Sequence, residues 1–199
     1  MTGVVLAAGA GRRMKETRSP GGDSALQGRS KLLLPFRGRP LLAWTVALVE
    51  GLPLARRLIV LGAQAEEIER EIPLSGWEVV VNQDWPRGMG TSLRRAAECV
   101  EGGMLVFLGD MPCVPEEAAR AVLARAGDRP VAPAYRGRRG FPVYLPPRLR
   151  PQLLALSGDA GARDLIGDCE LIPWDDPGVV WDVDCEEDLA CARPDRLRS

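Results

Sequence analysis

Short apolar runs recur along the chain, and the segments between them carry helical spacing. Val4-Val5-Leu6, Arg57–Leu61 (RLIVL), Trp77–Val81 (WEVVV), Met104–Leu108 (MLVFL), Pro130–Ala134 and a stretch near Glu170–Pro173 read as strands. MLVFL is apolar throughout, the mark of a central strand covered on both faces. Helices are predicted over Pro40–Glu50, with Pro at the first helical position, over Gln64–Ile72, and from a cap at Thr91 or Ser92 to near Val100. Two more are predicted over Pro115–Ala126 and Arg148–Leu156. Tyr135–Leu145 (YRGRRGFPVYL) reads as a turn leading to an outer antiparallel strand, where Pro142 suits an edge. Val179–Val183 reads as a last strand tip with Asp182 and Asp184 on one face, before a short helix. This alternation predicts an α/β three-layer α/β/α sandwich with a Rossmann-like, mostly parallel sheet.

Composition narrows the class. The 199 residues are 46% apolar and 27% charged, which suits one globular domain over 1–199, and no internal repeat is visible. Residues 15–30 (KETRSPGGDSALQGRS) are polar, rich in Gly and Ser and without a period, so a mobile surface loop is expected there. A net charge of −1 gives no general attraction to nucleic acid. No apolar stretch approaches the roughly 18–20 residues of a membrane span, and no basic segment precedes an apolar one at the N-terminus. A cytoplasmic protein is the expectation. The five cysteines form no C-x-x-C pair, and their odd number argues against a disulfide framework. The chain has no histidine. Chemistry must therefore use carboxylates, Lys, Arg, backbone N–H groups and hard cations, an inventory that suits phosphoryl-type transfer.

The candidate chemistry begins where the first strand ends. Leu6 runs into Ala7-Ala8-Gly9-Ala10-Gly11 and then Arg12-Arg13. Small residues after a strand expose successive N–H groups as an anion cradle, with guanidinium groups beside it; a plain tight turn is the other reading. The stretch is not a Walker A loop, and it lacks the third glycine of the dinucleotide fingerprint. Lys31, one of only two lysines in a chain that otherwise uses arginine, follows the polar loop and offers a compact point charge. Asp110 stands just past the carboxyl end of the central strand, where open α/β sheets bind ligands; it suits a cation or phosphate-facing role, or a turn before Pro112. Gly88–Ser92 is a glycine-rich helix entry suited to an anion or to simple capping. Asp182 and Asp184 suit a site or the capping of the next helix.

LAAGAGRRM…K, NQDWPRGMGTSL, GDMP, GRRGFPV, GDAGAR and DVDCEEDL stand in this order along nearly the whole chain. Together they resemble the MobA-like nucleotidyltransferases, and most closely the molybdenum cofactor cytidylyltransferases. The resemblance implies a fold of the nucleotide-diphospho-sugar transferase type and transfer of CMP from CTP to the terminal phosphate of molybdenum-bound molybdopterin. Pyrophosphate would leave, and the product would serve a molybdenum hydroxylase. It also implies roles for residues. Leu6, Ala7, Ala8, Gly9 and Gly11 match the nucleotide motif, Arg13 and Lys31 its phosphate-binding cations, and Asn82, Gly90 and Ser92 the surroundings of the base or ribose. Asp110 and Asp184 match a Mg²⁺ site, and Arg13, Lys31 and Asp110 the catalytic set. Gly140, Phe141, Pro142 and Arg163 match the acceptor side, with Phe141 where this branch usually has histidine. Ala8, in LAAG rather than LAGG, resembles cytidine-using members. The alternatives are a guanylyltransferase, another sugar- or alcohol-phosphate nucleotidyltransferase, or a non-catalytic accessory protein that binds the molybdenum cofactor.

Overall fold

The structure, a computed structural model, describes residues 1–9, 29–158, 164–184 and 188. The first strand, β1 (Thr2–Ala7), is followed by a small hairpin of β2 (Pro35–Phe36) and β3 (Arg39–Pro40). Then come α1 (Leu41–Glu50), β4 (Arg56–Leu61), α2 (Ala65–Glu71), β5 (Glu78–Val81), α3 (Met89–Cys99) and β6 (Met104–Leu108). The second half holds α4 (Glu116–Ala124), β7 (Val131–Tyr135), β8 (Arg138–Arg139), β9 (Val143–Leu145), α5 (Arg150–Leu154) and β10 (Glu170–Pro173). The main sheet runs β10-β7-β9-β6-β1-β4-β5, with β8 paired to β7. β6 lies in its middle, and β1 beside it is parallel to β4 on one side and to β6 on the other.

Alternation along the central strands sorts the core into two layers. Val5, Ala7, Ile59, Leu61, Leu105 and Phe107 face α1, α2 and α4, packing with Leu41, Leu42, Val46, Ile68 and Val122. Val4, Leu6, Leu58, Val60 and Val106 face α3 and α5, packing with Leu93, Ala96, Ala97 and Leu153. A strand covered on both faces has no polar position to spare, which is why these runs are apolar without a break. The three-layer α/β/α architecture expected from the sequence is thus present. No described helix is long and apolar enough to cross a membrane.

Four local expectations are corrected. The antiparallel strand is not at an edge: β9 lies between β6 and β7, and Val143, Tyr144 and Leu145 are all buried. Pro142 precedes the strand, so its missing N–H costs the ladder nothing. The reversal from β7 runs through Arg136 and Gly137, both left-handed at φ 50° and 78°, as a tight hairpin turn requires. The last apolar run is not a strand either. A 3₁₀ turn over Pro177–Val179 leads into irregular chain through Asp184, so strand alternation does not explain how Asp182 and Asp184 are aimed. α3 starts at Met89 with Gly88, at φ 120°, as its cap, and Thr91 and Ser92 lie inside the helix. Pro40 occupies the cap of α1 instead of its first helical position. Cys99, Cys113 and Cys169 are free and half-buried, and burial pushes each thiol above its ordinary range.

Phe107 is 1% exposed on β6, directly below the loop that carries Asp110. Phe107→Ala is expected to lower unfolding free energy by about 3–5 kcal/mol, and Phe107→Leu by much less, since the shorter side chain leaves the larger cavity. Urea denaturation of the two variants checks this; equal losses would show that packing under the site is not limiting.

Candidate active site

Because β1 and β6 are parallel neighbours, their carboxyl ends and the loops that follow lie at one edge of the sheet. Gly109 N donates to the Leu6 carbonyl at 2.9 Å, and a Cβ there would meet Leu42 at 3.0 Å and Ala7 at 3.2 Å. Glycine at this place keeps the Asp110 loop against the end of β1, next to Ala8 and Gly9. The irregular segment that follows Val180 is drawn to the same place, with Val183 N donating to the Asp110 carbonyl at 3.0 Å. Asp110, Asp182 and Asp184 each present a carboxylate oxygen, and the three atoms lie within 4.8 Å of one another.

Lys31 enters this cluster from the other side. Its Nζ donates to Asp110 Oδ2 at 2.7 Å and to the Val183 carbonyl at 3.0 Å, and lies 3.5 Å from Asp184 Oδ1. A 3₁₀ turn over Lys31–Leu33 fixes its backbone. Ser30, which is buried, caps that turn by accepting from Leu32 N, and Leu32 and Leu33 anchor it in the core. Asp182 is the member of the cluster absent from the metal pair read in the sequence. Burial first, and then the Asp110 and Asp184 carboxylates, push its carboxyl above the ordinary range, against the opposing pull of Lys31. When all three ionise, one ammonium leaves two negative charges uncompensated. Three hard oxygen donors with that residual charge fit a divalent hard cation such as Mg²⁺.

The glycine-rich segment after β5 is tied to the same edge. Asn82 is 1% exposed; its Nδ2 donates to Thr91 Oγ1 at 2.8 Å and Ser92 Oγ at 3.0 Å, and its Oδ1 accepts from Asp84 N at 3.0 Å. These bonds join the end of β5 to the first turns of α3, so the amide of Asn82 works as a tie within the loop. Gly90 is a packing contact: a Cβ there would fall 2.0 Å from the Gly158 carbonyl oxygen.

At the corner before β9, a Cβ on Gly140 would fall 2.1 Å from the Val179 carbonyl oxygen. Gly140 N donates to Pro133 O at 2.8 Å and Phe141 N to Val179 O at 2.7 Å. This corner, with a cis Phe141–Pro142 peptide, clamps the segment that leads to Asp182 and Asp184. A cavity of about 540 Å³ opens beside it, walled by Leu6, Leu108, Phe141 and Val180, with Arg138, Arg139 and Asp182 as charged members. A wider cleft of about 1340 Å³ near Trp44 and Trp174 contains none of the clustered carboxylates. The structure therefore brings together Leu6, Ala7, Ala8, Gly9, Lys31, Asp110 and Asp184, and sets Gly140 and Phe141 beside them. Gly11, Arg13 and Arg163 lie outside the described residues.

Residues 3–172 match the MobA-like NTP transferase domain. Nicotine blue oxidoreductase of Paenarthrobacter nicotinovorans is 35% identical, covering 95% of this chain and 94% of its own. A nucleotidyl transferase from Methanothermobacter thermautotroptrophicus is 26% identical with a TM-score of 0.78, over 99% of this chain and 97% of that one. Rv0371C of Mycobacterium tuberculosis H37Rv, solved as a complex with manganese, is 26% identical with a TM-score of 0.78, over 100% and 98%.

Two outcomes follow from the geometry. Asp182→Asn removes a crowded carboxylate and is expected to raise the melting temperature in EDTA at neutral pH. Since the native carboxyl binds its proton more readily than the unfolded one, this gain shrinks as pH falls towards the ordinary carboxylate range, where both states are protonated. A melting temperature unchanged at neutral pH would contradict the crowding. Gly140→Ala must displace Val179 and is expected to destabilise by about 1–3 kcal/mol. It should also weaken Mn²⁺ binding, because the displaced segment carries two of the aspartates; calorimetry with each variant checks both effects.

Proposed function

The chain belongs to the MobA-like NTP transferase family and is a nucleotidyltransferase, and we propose that it transfers CMP from CTP to the terminal phosphate of molybdenum-bound molybdopterin. It would do so in the cytoplasm, for delivery of the dinucleotide cofactor to a molybdenum hydroxylase. The observation that carries the reading is the convergence of Asp110, Asp182, Asp184 and Lys31 beside the Ala8-Gly9 turn. An acceptor phosphate monoester is already ionised near neutral pH, so the absence of histidine and of any strong general base is no handicap. An acceptor oxygen attacks the α-phosphorus of CTP, a new P–O bond forms, and the bond to the bridging oxygen breaks to release pyrophosphate.

The barrier lies in bringing one polyanion against another in line. The Ala8-Gly9 turn would present backbone N–H groups to the triphosphate, and Lys31 would meet its negative charge with an ammonium that is largely screened from water. Mg²⁺ held by Asp110, Asp182 and Asp184 would supply further neutralisation and orientation of the phosphates. Gly140 and the backbone of Phe141 keep the aspartate segment in place while the acceptor occupies the neighbouring cavity. The mostly apolar walls of that cavity suit the flat face of a fused-ring acceptor. A cytidine base is supported by Ala8 in LAAG. The name of the Paenarthrobacter relative points to redox chemistry, but the sequence after β1 here lacks the third glycine of the dinucleotide fingerprint. The Lys31–carboxylate cluster favours catalysis over a purely carrying role.

Asp110→Asn is expected to lower metal-dependent pyrophosphate release by on the order of a hundredfold or more, with the circular dichroism spectrum unchanged. Near-normal turnover would contradict the assignment. Among CTP, GTP, ATP and UTP, each with and without Mg²⁺, CTP with Mg²⁺ should raise the melting temperature most, because a ligand of the native state stabilises by mass action. A larger rise with GTP would indicate a guanylyltransferase, and binding without pyrophosphate release an accessory protein.

A further inference from the structure

Lys31 and a divalent cation would compete for the same oxygens. The ammonium lies 2.7 Å from Asp110 Oδ2 and 3.5 Å from Asp184 Oδ1, and its third contact is the carbonyl of Val183, a residue flanked by Asp182 and Asp184. The Lys31 side chain is 10% exposed, so water contributes little to its charge and the carboxylates contribute most. It is also the cation acting on the Asp182 carboxyl. Its backbone cannot follow the ammonium, since Ser30 caps the turn and Leu32 and Leu33 are buried; only the four-carbon stem is free to swing.

We propose that Lys31 is the exchangeable counter-ion of the carboxylate cluster, so that a divalent cation binds tightly only when a triphosphate gives the displaced ammonium another anion. The inference rests on reading Asp110, Asp182 and Asp184 as the metal centre. A cation entering while Lys31 keeps its place would share Asp110 with a like charge only a few ångströms away, which is strongly unfavourable at any dielectric met near a protein surface. Moving Lys31 out without a new partner forfeits charge-assisted hydrogen bonds. Those bonds correspond to roughly ten- to a hundredfold in affinity. A triphosphate lying over the Ala8-Gly9 turn removes that cost, because the ammonium can pivot from carboxylate to phosphate. Metal and nucleotide therefore load cooperatively, and by reciprocity each tightens the other by the same factor. The chain is thereby kept from filling its metal centre in the absence of substrate.

The test is Mn²⁺ binding, followed by electron paramagnetic resonance of the free ion, without nucleotide and then with CTP. Lys31→Met should bind Mn²⁺ without nucleotide about tenfold or more tightly than the wild type, and CTP should tighten its Mn²⁺ binding much less. Lys31→Arg keeps the charge and should stay as weak as the wild type. Arg56→Met, which removes one positive charge from an exposed pair with Glu78 far from the cluster, should leave Mn²⁺ affinity unchanged. Circular dichroism melts establish that each variant is folded. Equal or weaker Mn²⁺ binding by Lys31→Met overturns the exchange, as does an equal gain in Arg56→Met, which would mean bulk charge alone. Adding Asp110→Asn to Lys31→Met separates the two readings. Loss of Mn²⁺ binding in the double variant supports the metal centre, whether or not the exchange holds. Its survival overturns the metal centre and the exchange with it.

Discussion

Like charges resist being held together, and this protein holds three carboxylates within a few ångströms at the edge of its sheet. Each comes from a loop that the fold has little freedom to move. Asp110 follows β6, whose first four residues are buried, and its loop is pinned to β1 through Gly109. Asp182 and Asp184 arrive on irregular chain fastened at Val179 to the Gly140 corner and at Val183 to Asp110 itself. The repulsion is offset in part by Lys31, and the remainder is a standing attraction for a hard cation. The core beneath the site is what keeps such a cluster from relaxing.

The sheet topology explains why those loops meet. Parallel β6, β1 and β4 send their carboxyl ends to one edge, so Asp110, Ala8-Gly9 and Gly62, which follow them, are neighbours by construction. The antiparallel β9 is inserted beside β6, which brings the Gly140–Phe141 corner that precedes it to the same edge. The Ala8-Gly9 segment, the carboxylates and the cavity beside Phe141 are then brought to the same end of the sheet. In-line transfer between two phosphate-bearing substrates requires that contiguity more than it requires a strong base.

Much of this was legible in the sequence, for identifiable reasons. The run MLVFL could only be a strand covered on both faces, and the residue after its turn, Asp110, was therefore placed at a ligand-binding edge before any contact was known. Lys31 stood out by its rarity among arginines. The position of β9 was not legible: three residues after a proline carry no information about which strands flank them, and an inner place depends on long-range pairing. The role of Asp182 was half visible. Its alternation with Asp184 suggested a shared face, yet the chain there is not a strand, and long-range bonds such as those from Val183 N to the Asp110 carbonyl and from Lys31 to the Val183 carbonyl hold it in place. Thr91 and Ser92 look like helix caps by composition, but Asn82 claims both hydroxyls and Gly88 supplies the cap. Side-chain partners of that kind depend on the packed fold and are not written in local spacing.

On the proposed reading, the clustered aspartates hold the cation that meets the triphosphate. Anomalous diffraction from crystals grown with Mn²⁺ and CTP tests it most directly. A manganese peak is expected in direct coordination with carboxylate oxygens of Asp110 and Asp184 and with oxygens of the triphosphate, beside Ala8 and Gly9. A peak elsewhere, or a triphosphate bound away from these aspartates, would contradict it.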